Sequence, residues 1–342
     1  MPLSYLEDIL EQPRAIQATL DGLRNTGSLS SFAQKLTCGE FHRIVLTGMG
    51  SSYYALHPIA LRLLEHGICA QTIETSELVY HAKALIEPRT LLIVASQSGE
   101  SAEVIRLLDL TSKNVSVLGI TNTEESALAQ RATSTILTRA GKETSVSCKT
   151  YLATLTALGW LGDQLIEGKT AEQFSELLQT PAWVSRYLEN WQMHLSHIKE
   201  QLTDIRDLFL LGRGISLAAV GTGALIIKEA ARFGAQGMSS AAFRHGPFEM
   251  VSSKLFALLF VGTKETANLN SRLLKDIQSF GGKAAAVQKG DSKSPFDLPS
   301  DDPCVLPILE ILPAQMLSLA LAQIQSIEPG RFELTNKITT TE

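Results

Sequence analysis

Leu91-Leu92-Ile93-Val94-Ala95 is followed at once by Ser96-Gln97-Ser98-Gly99-Glu100-Ser101, and this stretch decides the fold. Five apolar residues without polar alternation predict a strand buried on both faces, as in a parallel sheet. Apolar side chains then recur at helical spacing from Ala102 to Leu110. A buried strand, a short polar loop and a helix form the unit from which doubly wound α/β sheets are built.

The loop after this strand has the composition of a phosphate cradle. It carries the hydroxyl groups of Ser96, Ser98 and Ser101, and Gly99 lets the backbone approach a ligand closely. A helix N-terminus has unpaired N–H groups and a partial positive charge, so an anion held there needs no Lys or Arg. The alternative is that Ser101 is an ordinary N-cap and that the other serines are ordinary turn residues.

Length and composition narrow the class of protein. A chain of 342 residues fits two domains of about 150 residues each. The hydrophobic fraction of 44% is globular, and no uninterrupted apolar run reaches the ~18 residues of a membrane span. The N-terminus lacks the basic start and apolar block of a signal peptide. We therefore expect a cytoplasmic protein that does not bind membranes.

Charge and cysteine content exclude other classes. The net charge of −5 argues against nucleic-acid binding, which needs clustered Lys and Arg, but leaves an anionic small ligand possible. Cys38, Cys69, Cys148 and Cys304 are far apart and show no CxxC spacing. They predict reduced, mostly buried thiols and neither a disulfide framework nor a zinc site.

The first half of the chain predicts alternating strands and helices. The strands are expected at 43–47, 70–73, 91–95, 115–120 and 135–137. Such alternation indicates a doubly wound parallel sheet, whose ligands collect at the carboxyl ends of the strands. Before it, residues 3–25 predict an amphipathic helix that packs on the outside and is broken at Pro13. Pro58 is expected to kink the helix after the first strand or to lie near its real start.

The second half repeats this pattern. Phe209 to Ser216 aligns with Val45 to Ser52, and the glycine pairs Gly212/Gly214 and Gly48/Gly50 lie 164 residues apart. A repeat of this size predicts a duplicated domain. Leu255 to Val261 matches the central strand but is followed by Gly-Thr-Lys-Glu in place of the serines. Only the first copy is therefore expected to bind phosphate.

The predicted organisation places a helical connection between the two copies. The expected segments are an N-terminal helix (1–29), a first domain (30–168), a helical linker (169–202), a second domain (203–326) and a C-terminal tail (327–342). Within the linker, His194 and His197 lie three residues apart on one helix. With no third ligand nearby, they indicate a solvated helix face and not a metal site.

Two polar features of the second half are candidates for catalysis. Lys228 and Glu229 interrupt an otherwise apolar helix, and a carboxylate in a closed environment can take and return a proton near neutral pH. His245 precedes Gly246-Pro247, which restricts the local backbone and so holds the imidazole in one place. The alternatives are a surface pair for Glu229 and a turn cap for His245.

The glycine pairs also suggest a dinucleotide site, with Glu74 as a ribose ligand. In a GxGxxG motif the third glycine is essential for close packing of the helix. Tyr53 occupies that position in the first copy and Leu217 in the second. An oxidoreductase is therefore disfavoured, and no cofactor is expected.

Together these motifs resemble the sugar isomerase (SIS) domain family. Within it, the chain is similar to the isomerase part of glucosamine-6-phosphate synthase and to stand-alone glucosamine-6-phosphate deaminases and fructosamine-phosphate deglycases. The resemblance runs from about residue 30 to the C-terminus, and Glu229 and His245 keep the family's separation of 16 residues. It implies two tandem doubly wound, flavodoxin-like domains.

The resemblance also implies roles for individual residues. It assigns substrate binding to a set of phosphate-binding and pocket-lining residues: Ser51, Ser52, Ser96, Gln97, Ser98, Ser101, Val146 and Ser147. Glu229 matches the general base that moves a proton between C1 and C2, and His245 matches the ring-opening residue supplied by the partner subunit of a homodimer. Lys337 matches the tail lysine that meets the open-chain carbonyl as a Schiff-base or electrostatic residue. The alternative for Lys337 is a disordered chain end.

The sequence departs from the family's pattern at two places. Ile226 stands where relatives of the synthase carry a lysine three residues before the glutamate, and extra residues precede Lys337. No amidohydrolase domain with an N-terminal cysteine precedes the repeat, so glutamine is not the expected nitrogen source. The resemblance therefore implies isomerisation of an amino-sugar phosphate with loss of ammonia. The alternatives are a fructosamine-6-phosphate deglycase and a phosphosugar-binding module without chemistry.

Overall fold

The protein is described by a computed structural model that covers residues 4–24, 26, 29–166, 175–291, 294–334 and 336–339. It divides into two compact units with interleaved segments. We call residues 14–143, 149–178 and 333–342 the N-terminal lobe, and residues 1–13, 144–148 and 179–332 the C-terminal lobe. The segment boundaries expected from the sequence stay predictions, and the one at 168 and 169 lies outside the described residues.

The N-terminal lobe contains a five-stranded, fully parallel sheet. Its strands are β1 (Arg43–Gly48), β2 (Ala70–Glu74), β3 (Thr90–Ala95), β4 (Ser116–Thr121) and β5 (Ser134–Leu137). Their order is β2-β1-β3-β4-β5, so the chain reverses its direction of winding between β1 and β3. All six residues of β3 are buried, which confirms the strand predicted from its apolar run.

The C-terminal lobe contains a second parallel sheet. Its strands are β6 (Asp207–Gly212), β7 (Ala235–Ser239), β8 (Leu255–Phe260), β9 (Lys283–Lys289) and β10 (Asp297–Leu298). Their order is β10-β9-β8-β6-β7, which is the order of the first sheet counted from the other edge. The doubly wound α/β fold predicted for both halves is therefore confirmed.

Sixteen α-helices connect the strands among the described residues. In chain order they are α1 (Ser4–Leu10), α2 (Gln12–Arg24), α3 (Ser30–Thr37), α4 (Gly50–Ala55), α5 (His57–Glu65), α6 (Thr75–His81), α7 (Ala102–Leu110), α8 (Ala127–Arg131), α9 (Lys149–Ile166), α10 (Ser175–Leu188), α11 (Trp191–Gln201), α12 (Leu217–Ala231), α13 (Ser240–Arg244), α14 (Lys264–Ser279), α15 (Leu306–Leu309) and α16 (Ile311–Ile324).

Several helix predictions are confirmed. The helix after the serine-rich loop has the predicted bounds of α7, and its side chains Val104 and Leu107 pack with Leu92 and Val94 in one buried cluster. Pro58 lies in the first turn of α5, where its missing N–H leaves no hydrogen bond unmade. The helix expected over residues 3–25 is broken, but the break lies at Glu11, and Pro13 is the second residue of α2.

Other expectations need correction. The helical linker expected over 169–202 contains two separate helices among its described residues, α10 and α11, and Pro181 lies inside α10. His194 is not on a solvated face: it is buried, its ring stacks on Tyr187 at 4.5 Å, and burial lowers its pKa. The thiols are not mostly buried, because Cys38, Cys69 and Cys304 are exposed. The physical cause is the same for His194 and for the cysteines, because tertiary packing decides the burial of a side chain and sequence spacing does not.

Two helical segments are long and apolar enough to cross a membrane by length and composition. They span Gly214–Ala231 and Leu306–Ile324 among the described residues. Within the protein, 61% of the first segment and 89% of the second are buried. Core helices of a globular lobe have the same composition, so these segments are weak evidence for a membrane span.

Candidate functional site

The loop after β3 forms a tight turn that its own serine hydroxyls hold. The Ser96 hydroxyl accepts the Gly99 N–H at 3.1 Å, and the Ser98 hydroxyl accepts the Glu100 N–H at 3.2 Å. Both serines are 8% exposed. The turn therefore presents small polar groups at the carboxyl end of the central strand, where doubly wound sheets bind their ligands.

Gly99 is required by this turn for two reasons. Its φ of +67° lies in the left-handed region, which side-chain-bearing residues rarely adopt. A Cβ at this position would lie 2.7 Å from Ser126 Cβ and closer still to the Ser126 hydroxyl. That hydroxyl accepts the Ala129 N–H and caps α8. The backbone of the loop is therefore packed directly against the start of the next helix.

Gly99→Ala is expected to destabilise the N-terminal lobe by about 3 kcal/mol, because backbone strain adds to a forced shift of Ser126. It should also weaken binding of inorganic phosphate by about tenfold, because the turn that carries the serine hydroxyls moves. Urea unfolding and calorimetric titration measure the two effects. Gly39→Ala is the matched control: its φ is +75° and nothing lies within 4 Å of its added Cβ, so only the strain remains. An equal loss of unfolding free energy in Gly99→Ala and Gly39→Ala would contradict the role of close packing at Gly99.

Ser101 occupies the N-cap position of α7, with φ −66° and ψ 150°, but its side chain makes no capping hydrogen bond. The interpretation of Ser101 as an ordinary N-cap is therefore not supported, because the usual hydrogen bond from the helix backbone to the serine hydroxyl is missing. The N–H of Ala102 is instead accepted by the carbonyl oxygen of Thr339 at 3.2 Å. The C-terminal tail thus reaches the first turn of the helix that follows the serine-rich loop.

Ser51 and Ser52 lie on the same edge of the sheet. Gly48 ends β1 and pairs with Ala95 at the end of β3, so the two following loops are neighbours. Gly48 has no room for a side chain, because a Cβ would lie 2.8 Å from the Ala95 carbonyl oxygen. Ser51 is buried and Ser52 is half-buried in the first turns of α4. The structure therefore brings six of the predicted phosphate-binding residues to adjoining loops of one lobe.

Asn122 links two loops of the candidate site by hydrogen bonds, and the sequence did not reveal it. Its backbone N–H donates to the Gln97 carbonyl at 3.0 Å. Its side-chain oxygen accepts the Ala140 N–H at 2.7 Å, and its side-chain amide donates to the Gly141 carbonyl at 2.8 Å. Asn122, the first residue after β4, thus joins the serine-rich loop (residues 96–101) to the loop between β5 and α9 (residues 138–148), which we call the polar loop after β5. No spacing or motif in the sequence marks it.

Lys337 belongs to the N-terminal lobe as well. Its ammonium group lies 2.7 Å from the carboxylate of Glu143, in the polar loop after β5. The Glu143 side chain is fully buried, and the Lys337 side chain is 20% exposed. The alternative interpretation of Lys337 as part of a disordered chain end is therefore not supported, because its side chain is paired with a buried carboxylate.

The C-terminal lobe carries Glu229 and His245. Glu229 is half-buried near the end of α12, its neighbour Lys228 is exposed, and Ile226 is fully buried one turn earlier. His245 is exposed and forms the C-cap of α13, where its N–H donates to the Ala242 carbonyl at 3.0 Å. The backbone of His245 therefore caps a turn, as one interpretation of the sequence proposed. Its imidazole is exposed and so is accessible to a ligand.

Val146 and Ser147 lie in the short segment of the polar loop that belongs to the C-terminal lobe. Val146 is buried and Ser147 is half-buried. Their neighbour Ser145 donates its hydroxyl to the Gly330 carbonyl at 2.7 Å, which ties this segment to the chain ahead of the tail. Their predicted place in a sugar pocket stays a prediction, as do the catalytic roles of the residues above.

The chemistry that these groups offer is acid–base and electrostatic. Hydroxyl groups at a helix start suit an anion, and a carboxylate, an imidazole and an amine suit proton transfer at a carbonyl. Within the described part of the chain, no group of three or more His, Cys, Asp or Glu side chains could hold a metal ion. These groups therefore suit an anionic substrate that contains a carbonyl group, and they do not by themselves distinguish one such compound from another.

Residues 40–162 match the family model described as the SIS domain. This part of the chain is a SIS domain. It contains the whole parallel sheet β1–β5, the serine-rich loop and Asn122. The family that the sequence resembles is therefore confirmed for residues 40–162.

Relatives extend the similarity over the rest of the chain. The isomerizing glutamine–fructose-6-phosphate aminotransferase of Pyrococcus horikoshii is 31% identical over 98% of this chain. The chain spans 57% of that relative's length. The C-terminal domain of glucosamine-fructose-6-phosphate aminotransferase from Francisella tularensis is 25% identical, with a TM-score of 0.81 over 94% of this chain and 96% of that chain.

A third comparison concerns the fold alone. The glucosamine-6-phosphate deaminase of Thermotoga maritima has a TM-score of 0.79 and covers 99% of this chain and 100% of its own, at 21% identity. The architecture that follows the SIS domain is therefore shared with a solved protein of nearly the same extent.

Proposed function

We propose that this protein is a phosphosugar isomerase that acts on an amino-sugar phosphate, as a glucosamine-6-phosphate deaminase. The observation that carries the proposal is the serine-rich loop at the carboxyl end of β3. Its hydroxyls lie at the start of a nine-residue helix, and the hydroxyl of Ser101 makes no capping bond. This is the environment in which a sugar phosphate binds through hydroxyl and backbone donors.

The candidate residues supply each step of an aldose–ketose conversion. His245 opens the sugar ring by moving a proton to the ring oxygen. Glu229 takes the proton from C2 and returns it to C1, which converts a C1 aldehyde beside a C2 amine into a C1 alcohol beside a C2 imine. Water then hydrolyses the imine to fructose 6-phosphate and ammonia. Lys337 meets the carbonyl oxygen of the open-chain sugar as a positive charge.

The names of the similar proteins support this substrate class. Both the Pyrococcus horikoshii and the Francisella tularensis proteins are aminotransferases of fructose 6-phosphate, and the Thermotoga maritima protein is a glucosamine-6-phosphate deaminase. We further propose a homodimer in which the His245 of one subunit serves the site of the other. An isologous twofold interface would generate two such sites.

The proposal predicts that purified protein releases ammonia and fructose 6-phosphate from glucosamine 6-phosphate in equal amounts. Two coupled assays, one for each product, measure this result. Release of an amino acid or another amine from a phosphorylated fructosamine, with no ammonia from glucosamine 6-phosphate, would support a deglycase instead. Tight binding of hexose phosphates with no turnover of any of them would contradict catalysis and support a sensing module.

A further inference from the structure

The contact that joins the tail to the N-terminal lobe is centred on Glu143. One carboxylate oxygen of Glu143 accepts the Thr150 N–H at 3.0 Å. The other oxygen accepts the Thr150 hydroxyl at 2.6 Å and the Lys337 ammonium at 2.7 Å. The Glu143 side chain is fully buried. A buried carboxylate is stable only when its oxygens are paired and hydrogen-bonded, and here both oxygens have donors.

A second contact fixes the tail two residues further on. The carbonyl of Thr339 accepts the N–H of Ala102, the first residue of α7. The short segment 337–339 is therefore held at one end by the polar loop after β5 and at the other by the helix that follows the serine-rich loop. Both contacts lie within the N-terminal lobe. They bring the segment that carries Lys337 to the first residue of the helix that follows the loop proposed to hold the sugar phosphate.

We propose that Glu143 is a positioning residue for Lys337. A segment outside helices and strands, such as residues 336–339, loses conformational entropy when it is ordered, and the long side chain of Lys337 adds to that loss. The buried carboxylate orders the amine before the sugar arrives, so binding of substrate does not have to supply that ordering. This inference rests on the proposed function for the role of Lys337, but the location of the amine can be tested without turnover.

The first experiment measures the reactivity of lysine amines in the full protein. Limited acetylation with acetic anhydride, followed by peptide mass spectrometry, gives the labelling rate of Lys337 relative to the exposed Lys113. We expect slow labelling of Lys337 in the wild type. In Glu143→Gln the rate should rise about tenfold, because the amine loses its buried partner. The same rate in wild type and variant would overturn the proposal.

The chain offers a closely matched control. Lys35 and Glu40 form another lysine–glutamate pair of 2.7 Å in the same lobe, but both side chains are exposed, at 40% and 54%. Exposed pairs restrain their partners little, so Glu40→Gln should change the labelling rate of Lys35 by less than about twofold. Equal changes in the labelling rates of Lys35 and Lys337 would mean that the loss of any neighbouring negative charge, buried or exposed, explains the result.

The second experiment separates positioning from binding. With glucosamine 6-phosphate, Glu143→Gln should lower kcat by about tenfold or more and leave KM within about threefold, because the serine-rich loop still binds the phosphate. Glu143→Asp keeps the charge and should recover part of the loss. A structural defect alone would raise KM and lower the melting temperature together, without recovery in the aspartate variant.

A further variant covers the case in which Glu143→Gln does not fold. Thr150→Val removes only the hydroxyl that donates to Glu143, and it should raise Lys337 labelling by a smaller factor. If the wild type shows no turnover of any amino-sugar phosphate, the proposed function fails while the labelling results still decide the position of Lys337. Lys337 labelling that is as slow in Thr150→Val as in the wild type would overturn the inference.

Discussion

Glu229→Gln is expected to lower kcat for glucosamine 6-phosphate by about 10³-fold, the middle of the range for loss of a general base. The amide keeps the shape of the side chain but cannot take the C2 proton. KM and the melting temperature should change little, because glutamine fills the same half-buried position near the end of α12. Steady-state kinetics and thermal unfolding measure these quantities. Lys228→Gln is the neighbouring control, since Lys228 is exposed on the same helix and should retain wild-type turnover.

The same variant tests the shared site of the proposed homodimer. Glu229→Gln and His245→Ala are each expected to be nearly inactive. If the two residues of one site come from different subunits, denaturing and refolding a mixture of the variants restores about a quarter of wild-type activity, because half of the dimers regain one complete site. No recovery, with dimers present by light scattering, would mean that both residues act from one subunit. Wild-type turnover in Glu229→Gln alone would reject its role as the base.

The sequence predicted the parts of the fold that have a strong local signal. β3 is apolar over its whole length and is buried on both faces, so the predicted strand and helix α7 agree with the structure. β7 and β9 were not predicted individually. Their side chains are mostly half-buried or exposed, so they lack the continuous apolar run of a central strand. Edge and near-edge strands depend on pairing with neighbours, which short windows of sequence do not encode.

The candidate site was predictable only where its residues are close in sequence. The serine-rich composition of one loop, together with the helical pattern that follows it, was enough to predict a phosphate site. Glu143 and Lys337 lie 194 residues apart, and no periodicity connects them. The resemblance to a family pointed to Lys337 but not to its partner. Asn122 and Glu143 were visible only as polar residues after strands, which is also what surface turns contain.

Glu310 is a second acidic residue that only the structure reveals as unusual. It lies between α15 and α16 in the C-terminal lobe, where it is fully buried. One of its oxygens accepts the Ser216 hydroxyl at 2.8 Å, and the other has no partner among the described residues. Burial raises the pKa of Glu310 to about 8, and the hydrogen bond from Ser216 opposes that rise. A protonated carboxyl is therefore the form that the folded lobe holds at neutral pH.

Glu310→Gln is expected to remove a large pH dependence of stability. The unfolded chain loses this proton near pH 4.5 and the folded protein near pH 8, so the folded state binds more protons in between. The free energy of unfolding of the wild type should therefore fall as pH rises through that window and level off above it, by up to about 5 kcal/mol from this one group. Glutamine accepts the same hydrogen bond and does not titrate. At low pH its extra N–H groups should leave the variant about 1 kcal/mol less stable than the wild type.

Urea unfolding at about pH 5 and about pH 9 measures the free energy of unfolding of both proteins. Relative to the wild type, Glu310→Gln should be more stable by several kcal/mol at the higher pH than at the lower pH. Glu249→Gln, at an exposed position in the same lobe, should retain the wild-type pH dependence. Ser216→Ala removes the bond that opposes the raised pKa, so its stability should fall over a window that extends to higher pH, and by a larger total amount, than that of the wild type. Parallel curves for wild type and Glu310→Gln would mean that the buried carboxyl is charged in the folded protein. In that case an unidentified donor to the second oxygen would have to compensate the burial of the charge.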